Sequence, residues 1–140
     1  MDSSWFEAMV ADARNRPEVY RRLGFAGLRL VVEETDGVDI RRFGLVLDGY
    51  DVSCAGKLQD LETFRPDATV SGSRETWDEM AANIVANGHA DLSHTLNALS
   101  IAETPLRVTS PDPLGRDKFF RYAETLQTLF DALATAAAPA

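Results

Sequence analysis

The 140-residue sequence holds a single cysteine, Cys54, which excludes an internal disulfide and any zinc site built on cysteine. A nucleophilic role would need a neighbouring base to lower the thiol pKa, and only Lys57 stands near it in sequence, so Cys54 reads as a small buried hydrophobe. Positive charge is also scarce, with 14 Lys and Arg against 22 Asp and Glu and a net charge of −8. The deficit is concentrated late. Through Arg42 there are seven Arg and eight acids, and beyond it seven Lys or Arg and fourteen acids. Nucleic acid needs a basic surface to displace counterions and an anionic bilayer needs a polybasic patch, and neither is expected here. Arg14, Arg16, Arg21 and Arg22 form a local cluster, but Asp12 and Glu18 balance it as a solvated helix face. No apolar run reaches the roughly 18 residues of a membrane span. The opening Met-Asp-Ser-Ser is acidic rather than basic, unlike a signal peptide, so the expected location is cytoplasmic.

Catalytic patterns are missing as well. There is no serine elbow, no P-loop and no dinucleotide glycine pattern, since Gly24-Phe25-Ala26-Gly27 lacks the spacing and follows no strand. The two histidines, His89 and His94, would point about 140° apart on a helix, so they cannot share a metal as an i,i+4 pair can. Tyr50-Asp51 would suit an acid–base pair, but adjacent strand residues face opposite ways. Glu33-Glu34 and Asp78-Glu79 are adjacent rather than spaced to flank a substrate, and read as solvated faces. No cofactor, metal or catalytic residue is expected.

What is present is periodicity. Ser4-Trp5-Phe6-Glu7 fits a capping box opening a helix with Phe6, Met9, Val10 and Ala13 on its apolar stripe. Pro17 starts a second short helix that Gly24 ends. From Ala26 the period drops to two, and Asp36-Gly37 and Asp48-Gly49 read as type I′ turns joining three antiparallel strands, the last over Tyr50 to Ala55. Leu58 to Phe64 is ambiguous between a helical turn and a loop, and Pro66 biases Arg65 toward an extended backbone. Ala68 to Ser71 reads as a strand, Gly72 as a turn, and Ser73 as the cap of a helix carrying Trp77, Met80, Ala81, Ile84 and Val85. Ala90 to Ile101 reads as another helix, with Leu92, Leu96 and Leu99 on one face. Leu106 to Thr109 is a short strand and Ser110 to Gly115 a loop. Phe119, Ala123, Leu126, Phe130 and Leu133 then step by four and three along an amphipathic last helix. The predicted fold class is α+β: a mostly antiparallel twisted sheet of about five strands, helices packed on one face and an apolar C-terminal helix. One domain over residues 1–134 and a flexible tail over 135–140 are expected.

The segment Pro66 to Val85, with its Asp-Ala-Thr-Val-Ser-Gly-Ser-x-x-x-Trp phrasing, resembles the middle of the sterol carrier protein type 2-like lipid-binding family. There a strand ending in a Ser/Thr-Gly pair leads into a Trp-bearing helix. The resemblance extends from about Phe25 to Leu133. It implies a non-enzymatic protein that binds or transfers a fatty acyl, sterol-like or isoprenoid molecule in an apolar cavity. On this reading Trp77, Met80, Ile84, Leu96, Phe119, Phe120, Leu126 and Phe130 line that cavity. The sequence departs from the family around the penultimate strand, where Thr104-Pro105 and Ser110 replace the customary glycines. Two alternatives stay open: a small cone-shaped α+β enzyme of the ketosteroid isomerase kind, and a ligand-free module that docks to a protein partner or to a second copy through its Phe-rich helix.

Overall fold

The computed structural model describes residues 1–136, so residues 137–140 of the expected tail lie outside it. Two N-terminal helices, α1 (Ser3–Asn15) and α2 (Pro17–Leu23), precede a meander of β1 (Ala26–Asp36), β2 (Asp39–Gly49) and β3 (Asp51–Lys57). A single turn, α3 (Leu61–Phe64), leads to β4 (Ala68–Ser73) and the long α4 (Arg74–Asn87). After α5 (Leu96–Ser100) and β5 (Arg107–Thr109), the chain closes with α6 (Pro113–Arg121), α7 (Ala123–Asp131) and α8 (Leu133–Ala136). The five strands form one sheet in the order β3-β2-β1-β4-β5, antiparallel except where β1 runs parallel to β4. The α+β architecture read from the sequence is the one observed. Among the described residues the last elements are helices, not the long final strands of the cone-shaped isomerase architecture.

Alternation along the strands decides where the core lies. On β1, Ala26, Leu28, Leu30 and Val32 are buried and belong to the main apolar cluster. Their cross-strand neighbours Leu47, Leu45 and Phe43 on β2, and Ala68 and Val70 on β4, lie on the same face. Onto this face pack Phe6 and Met9 of α1, Trp77, Met80 and Ile84 of α4, Phe119 of α6, and Leu126, Leu129 and Phe130 of α7. The opposite face is mostly polar. Its exception is Val31, which is buried with Phe64 of α3, whose ring fills the space above Gly44 and is stacked by the Arg29 guanidinium at 4.5 Å.

Several local expectations are corrected. The cap of α1 is Asp2, which accepts from the Ser4 amide, not Ser4. Both hairpin loops sit one residue later than expected, at Gly37-Val38 and Gly49-Tyr50, because Asp36 pairs with Asp39 and Asp48 with Asp51. Only the glycine in each has a positive φ, the pattern of Gly-first turns rather than type I′. Gly72 is not a turn but a strand residue. A Cβ there would lie 2.5 Å from Leu106 Cδ2 and 3.2 Å from Trp77 Nε1, so glycine is required by close approach. Arg65 is not extended but left-handed, at φ 53° and ψ 65°, where its amide closes α3 onto Leu61. The loop expected at Ser110 to Gly115 becomes helical from Pro113, since Asp112 accepts from the Leu114 and Gly115 amides. Finally, the last apolar helix is interrupted at Tyr122, whose φ of −100° and ψ of 17° depart from helical values, although its apolar stripe persists across the break.

Candidate functional site

The Trp-bearing helix is set by its own start signals. Ser73 Oγ accepts from the Thr76 amide at 3.1 Å, and Gly88, left-handed at φ 82°, ends the helix. Trp77 is thereby placed one turn into α4, where its Nε1–H donates to the Glu33 carbonyl of β1 at 2.9 Å. That bond satisfies the one polar atom of a fully buried indole and fixes its orientation. The indole stacks on Phe130 of α7, with ring centroids 5.9 Å apart and planes 18° apart.

Seven of the eight residues expected to line a cavity, Trp77, Met80, Ile84, Leu96, Phe119, Leu126 and Phe130, are fully buried in one cluster between the sheet and helices α4 to α7. Phe120 stands at its margin, half-buried, with its ring edge-on to Phe119 at 5.2 Å and under the Arg116 guanidinium. Val85, read as part of the α4 face, is instead about half exposed. Within the cluster Trp77 meets Phe130 and Phe119 meets Phe120 ring to ring.

Two polar assemblies bound this layer. The first surrounds Glu34, which the sequence reading places on a solvated face. Its carboxylate is 1% exposed on the core face of β1, with the Met1 ammonium at 3.4 Å and Arg41 Nη2 at 3.0 Å. Arg74 Nε lies farther off, at 3.9 Å. Burial of a carboxylate is tolerated here because cations from three separate elements neutralise it. Its neighbour Glu33, on the other face, accepts from Arg42 Nε at 2.8 Å and from Ser71 Oγ at 2.8 Å. The second assembly involves the segment between α4 and α5. The helix expected over Ala90 to Ile101 is confined to Leu96–Ser100, because Asp91 accepts from the Ser93 amide and Thr95 caps the later start. Leu92, expected on the buried face, is 92% exposed. His94 Nδ1 lies 2.7 Å from Asp91 Oδ1 and its Nε2 lies 3.4 Å from Glu79 Oε1 of α4. The Asp91 carboxylate, hydrogen-bonded by His94, Asn83 and Ser93, is held well below the usual carboxylate range, and the same contact with Asp91 raises His94. Asn83, Gln127 and Asp131, which complete this assembly, carry no sequence signal that would single them out.

Cys54 is half-buried at the edge of the core, opposite Leu45, rather than fully enclosed. Among the described residues no three His, Cys, Asp or Glu side chains are grouped to hold a metal ion. No helix among them is long and apolar enough to cross a membrane. The opposite face of the sheet carries a cleft of about 680 Å³. Its floor is the cross-strand pair Thr69 and Thr109, and its walls are Leu61, Arg65 and Pro66 on one side and Ser110 and Pro111 on the other. Glu62 and Arg65 supply one charge of each sign, and Asp112 is engaged at the start of α6.

No protein-family model matches the chain, and none of the curated proteins compared with it matches. Solved structures do. A conserved hypothetical protein of Thermus thermophilus, described as a possible sterol carrier protein, superposes with a TM-score of 0.57 at 14% identity, covering 96% of this chain and 87% of that one. The apo form of sterol carrier protein 2 from Yarrowia lipolytica gives 0.48 at 14% identity, covering 92% and 88%. The ubiquinone synthesis protein UbiJ-SCP2 gives 0.46 at 20% identity, covering 93% and 85%. The likeness to the Thermus protein carries the assignment: this chain has the sterol carrier protein 2-like fold.

Proposed function

We propose that the protein binds or transfers a hydrophobic small molecule of the fatty acyl, sterol-like or isoprenoid class in the cytoplasm, without catalysing a reaction on it. Fold alone does not define function. The observation that carries the reading is the apolar layer itself, in which Trp77, Met80, Ile84, Leu96, Phe119, Leu126 and Phe130 meet between one sheet face and the last helices of a sterol carrier protein 2-like fold. These residues, with Phe120 at the margin, are the proposed ligand contacts. Affinity would come from burial, at about 25 cal/mol per Å² of apolar area. Because Trp77 of α4 stacks on Phe130 of α7, a ligand held between these helices would displace that pair.

Native mass spectrometry of protein isolated from its own host, together with titration of Trp77 fluorescence by palmitate, tests this. Retained lipid and a saturable spectral change are expected, with Trp5 as the constant background. The close packing of Phe130 on Trp77 favours a second reading, a ligand-free docking module. That reading gains first place if no lipid is retained and the fluorescence does not respond.

A further inference from the structure

The segment from Gly88 to Ile101 joins α4 to the β5 edge with little regular structure, yet it closes one side of the apolar layer: Ala90 and Leu96 are buried members of the main cluster. Polar bonds to two different helices hold it there. Toward α7, the Ala90 amide donates to Asp131 Oδ1 at 3.0 Å and the Leu96 amide to Gln127 Oε1 at 2.7 Å. Gln127 Nε2 in turn donates to Asp131 Oδ1 at 2.9 Å. Toward α4, the Asp91 amide donates to Asn83 Oδ1 at 2.9 Å, and Asn83 Nδ2 returns a bond to Asp91 Oδ2 at 2.8 Å. His94 completes the α4 side by standing between Asp91 Oδ1 and Glu79 Oε1.

We infer that this segment is a pH-sensitive strap across α4 and α7, held more tightly when the His94 imidazolium bridges Asp91 and Glu79 and loosened when His94 is neutral. The chemistry follows from donor count. An imidazolium donates through both ring nitrogens and so satisfies both carboxylates, whereas a neutral ring has one N–H and turns a lone pair toward the other carboxylate. The charged groups facing His94 are Asp91 in its own turn and Glu79 on α4; Asp131 of α7 is already taken by Ala90 and Gln127. His89 also lies in the strap, with its Nδ1 2.9 Å from the Ala90 carbonyl oxygen, but it meets no carboxylate among the described residues. Contact with Asp91 raises the His94 pKa, so the latch's contribution is complete below the ordinary histidine value and is lost as pH rises through the raised one. Opening therefore increases with pH. Its apolar anchors are Ala90, Leu96 and Leu99, and a segment with little regular structure opens locally at a lower free energy than global unfolding. Its use as the passage for a hydrophobic ligand rests on the function proposed above; the latch itself does not.

Hydrogen exchange of the full chain, measured between pH 5.5 and 8 and corrected for intrinsic rates, tests the latch. Exchange of the Ala90, Asp91 and Leu96 amides should speed up by about two- to fivefold across the His94 titration, the range of a partly exposed ion pair. The amides of β1 and β2 should not change. His94→Gln should give fast, pH-independent exchange in the strap, and His89→Gln should keep the wild-type profile. A strap profile flat with pH in the wild type, or a pH dependence that survives His94→Gln, overturns the latch. In parallel, palmitate association should quicken with pH as exchange does. If palmitate binds at one pH-independent rate while the strap opens, the passage is elsewhere. If palmitate does not bind at all, the proposed function fails and takes the passage with it, and the exchange data still decide the latch.

Discussion

Phe130→Ala tests how solid the apolar layer is. The side chain is fully buried and stacked on Trp77 at 5.9 Å. Burying such a side chain stabilises by about 1.5–3 kcal/mol, and an aromatic pair adds about 0.5–1.5 kcal/mol. Truncation also leaves a cavity, which costs roughly 24 cal/mol per Å³ that the surroundings fail to fill. Collapse is obstructed here. Trp77 is held by its bond to the Glu33 carbonyl, and Gly72 lies close against its nitrogen-bearing edge. The loss should thus fall in the upper half of the Phe→Ala range of about 3–5 kcal/mol. Urea unfolding followed by circular dichroism measures it, with an unchanged m-value showing that the change lies in stability. A loss under about 2 kcal/mol would refute the reasoning, because it would mean the layer already holds slack beside Phe130.

Glycine substitutions probe close approach at two places. Gly72→Ala forces the Leu106 methyl and the indole to shift, at a cost of about 1–3 kcal/mol. Gly115→Ala should cost more in the same unfolding assay, since its Cβ would fall 1.7 Å from the Asp67 carbonyl oxygen, a backbone atom that no rotamer change can move. Gly27→Ala, with open space around it, should stay within about 0.5 kcal/mol of wild type. Asp112→Ala removes the acceptor for the Leu114 and Gly115 amides at the start of α6 and should cost about 1 kcal/mol by the same measurement. Cys54 should react with a thiol reagent at neutral pH more slowly than in denaturant but at a measurable rate, because it is half-buried rather than enclosed.

The elements legible in the sequence are those whose signals are local. Ser73 capping α4, Gly88 ending it, Pro17 opening α2 and the four-three spacing toward Leu133 all act within a turn or two of themselves, and each appears where the sequence places it. Most of the buried apolar residues are legible for the same reason, with Val85, Leu92 and Cys54 among the exceptions. The structure departs from the sequence reading where one local signal competes with another. Leu92, Leu96 and Leu99 have helical spacing, but Asp91 and Ser93 offer the backbone side-chain bonds that a helix would have to break, and the helix waits for Thr95. At the hairpins each Asp-Gly pair does mark a turn, yet the register places Gly first and leaves Asp on the strand, paired with another Asp.

What could not be read is whatever depends on distant partners. The parallel pairing of β1 with β4 joins residues 38 positions apart, such as Leu30 with Ala68, and no local pattern specifies it. That pairing is also what makes Gly72 a contact point rather than a turn, since it sets β4 beside β1 with Glu34 opposite Gly72. Two adjacent glutamates then receive opposite fates from strand alternation alone. Glu33 turns to the polar face, where Arg42 and Ser71 meet it, and Glu34 turns to the core face, where the convergence of the Met1 ammonium, Arg41 and, farther off, Arg74 makes a buried carboxylate tolerable. The Gly88 to Ile101 segment follows the same logic at the other side of α4, because Asn83, Gln127 and Asp131 gain their partners only once the fold brings that segment against both α4 and α7. The apolar periodicity therefore specifies the buried layer, while the polar residues that bound it are specified by topology.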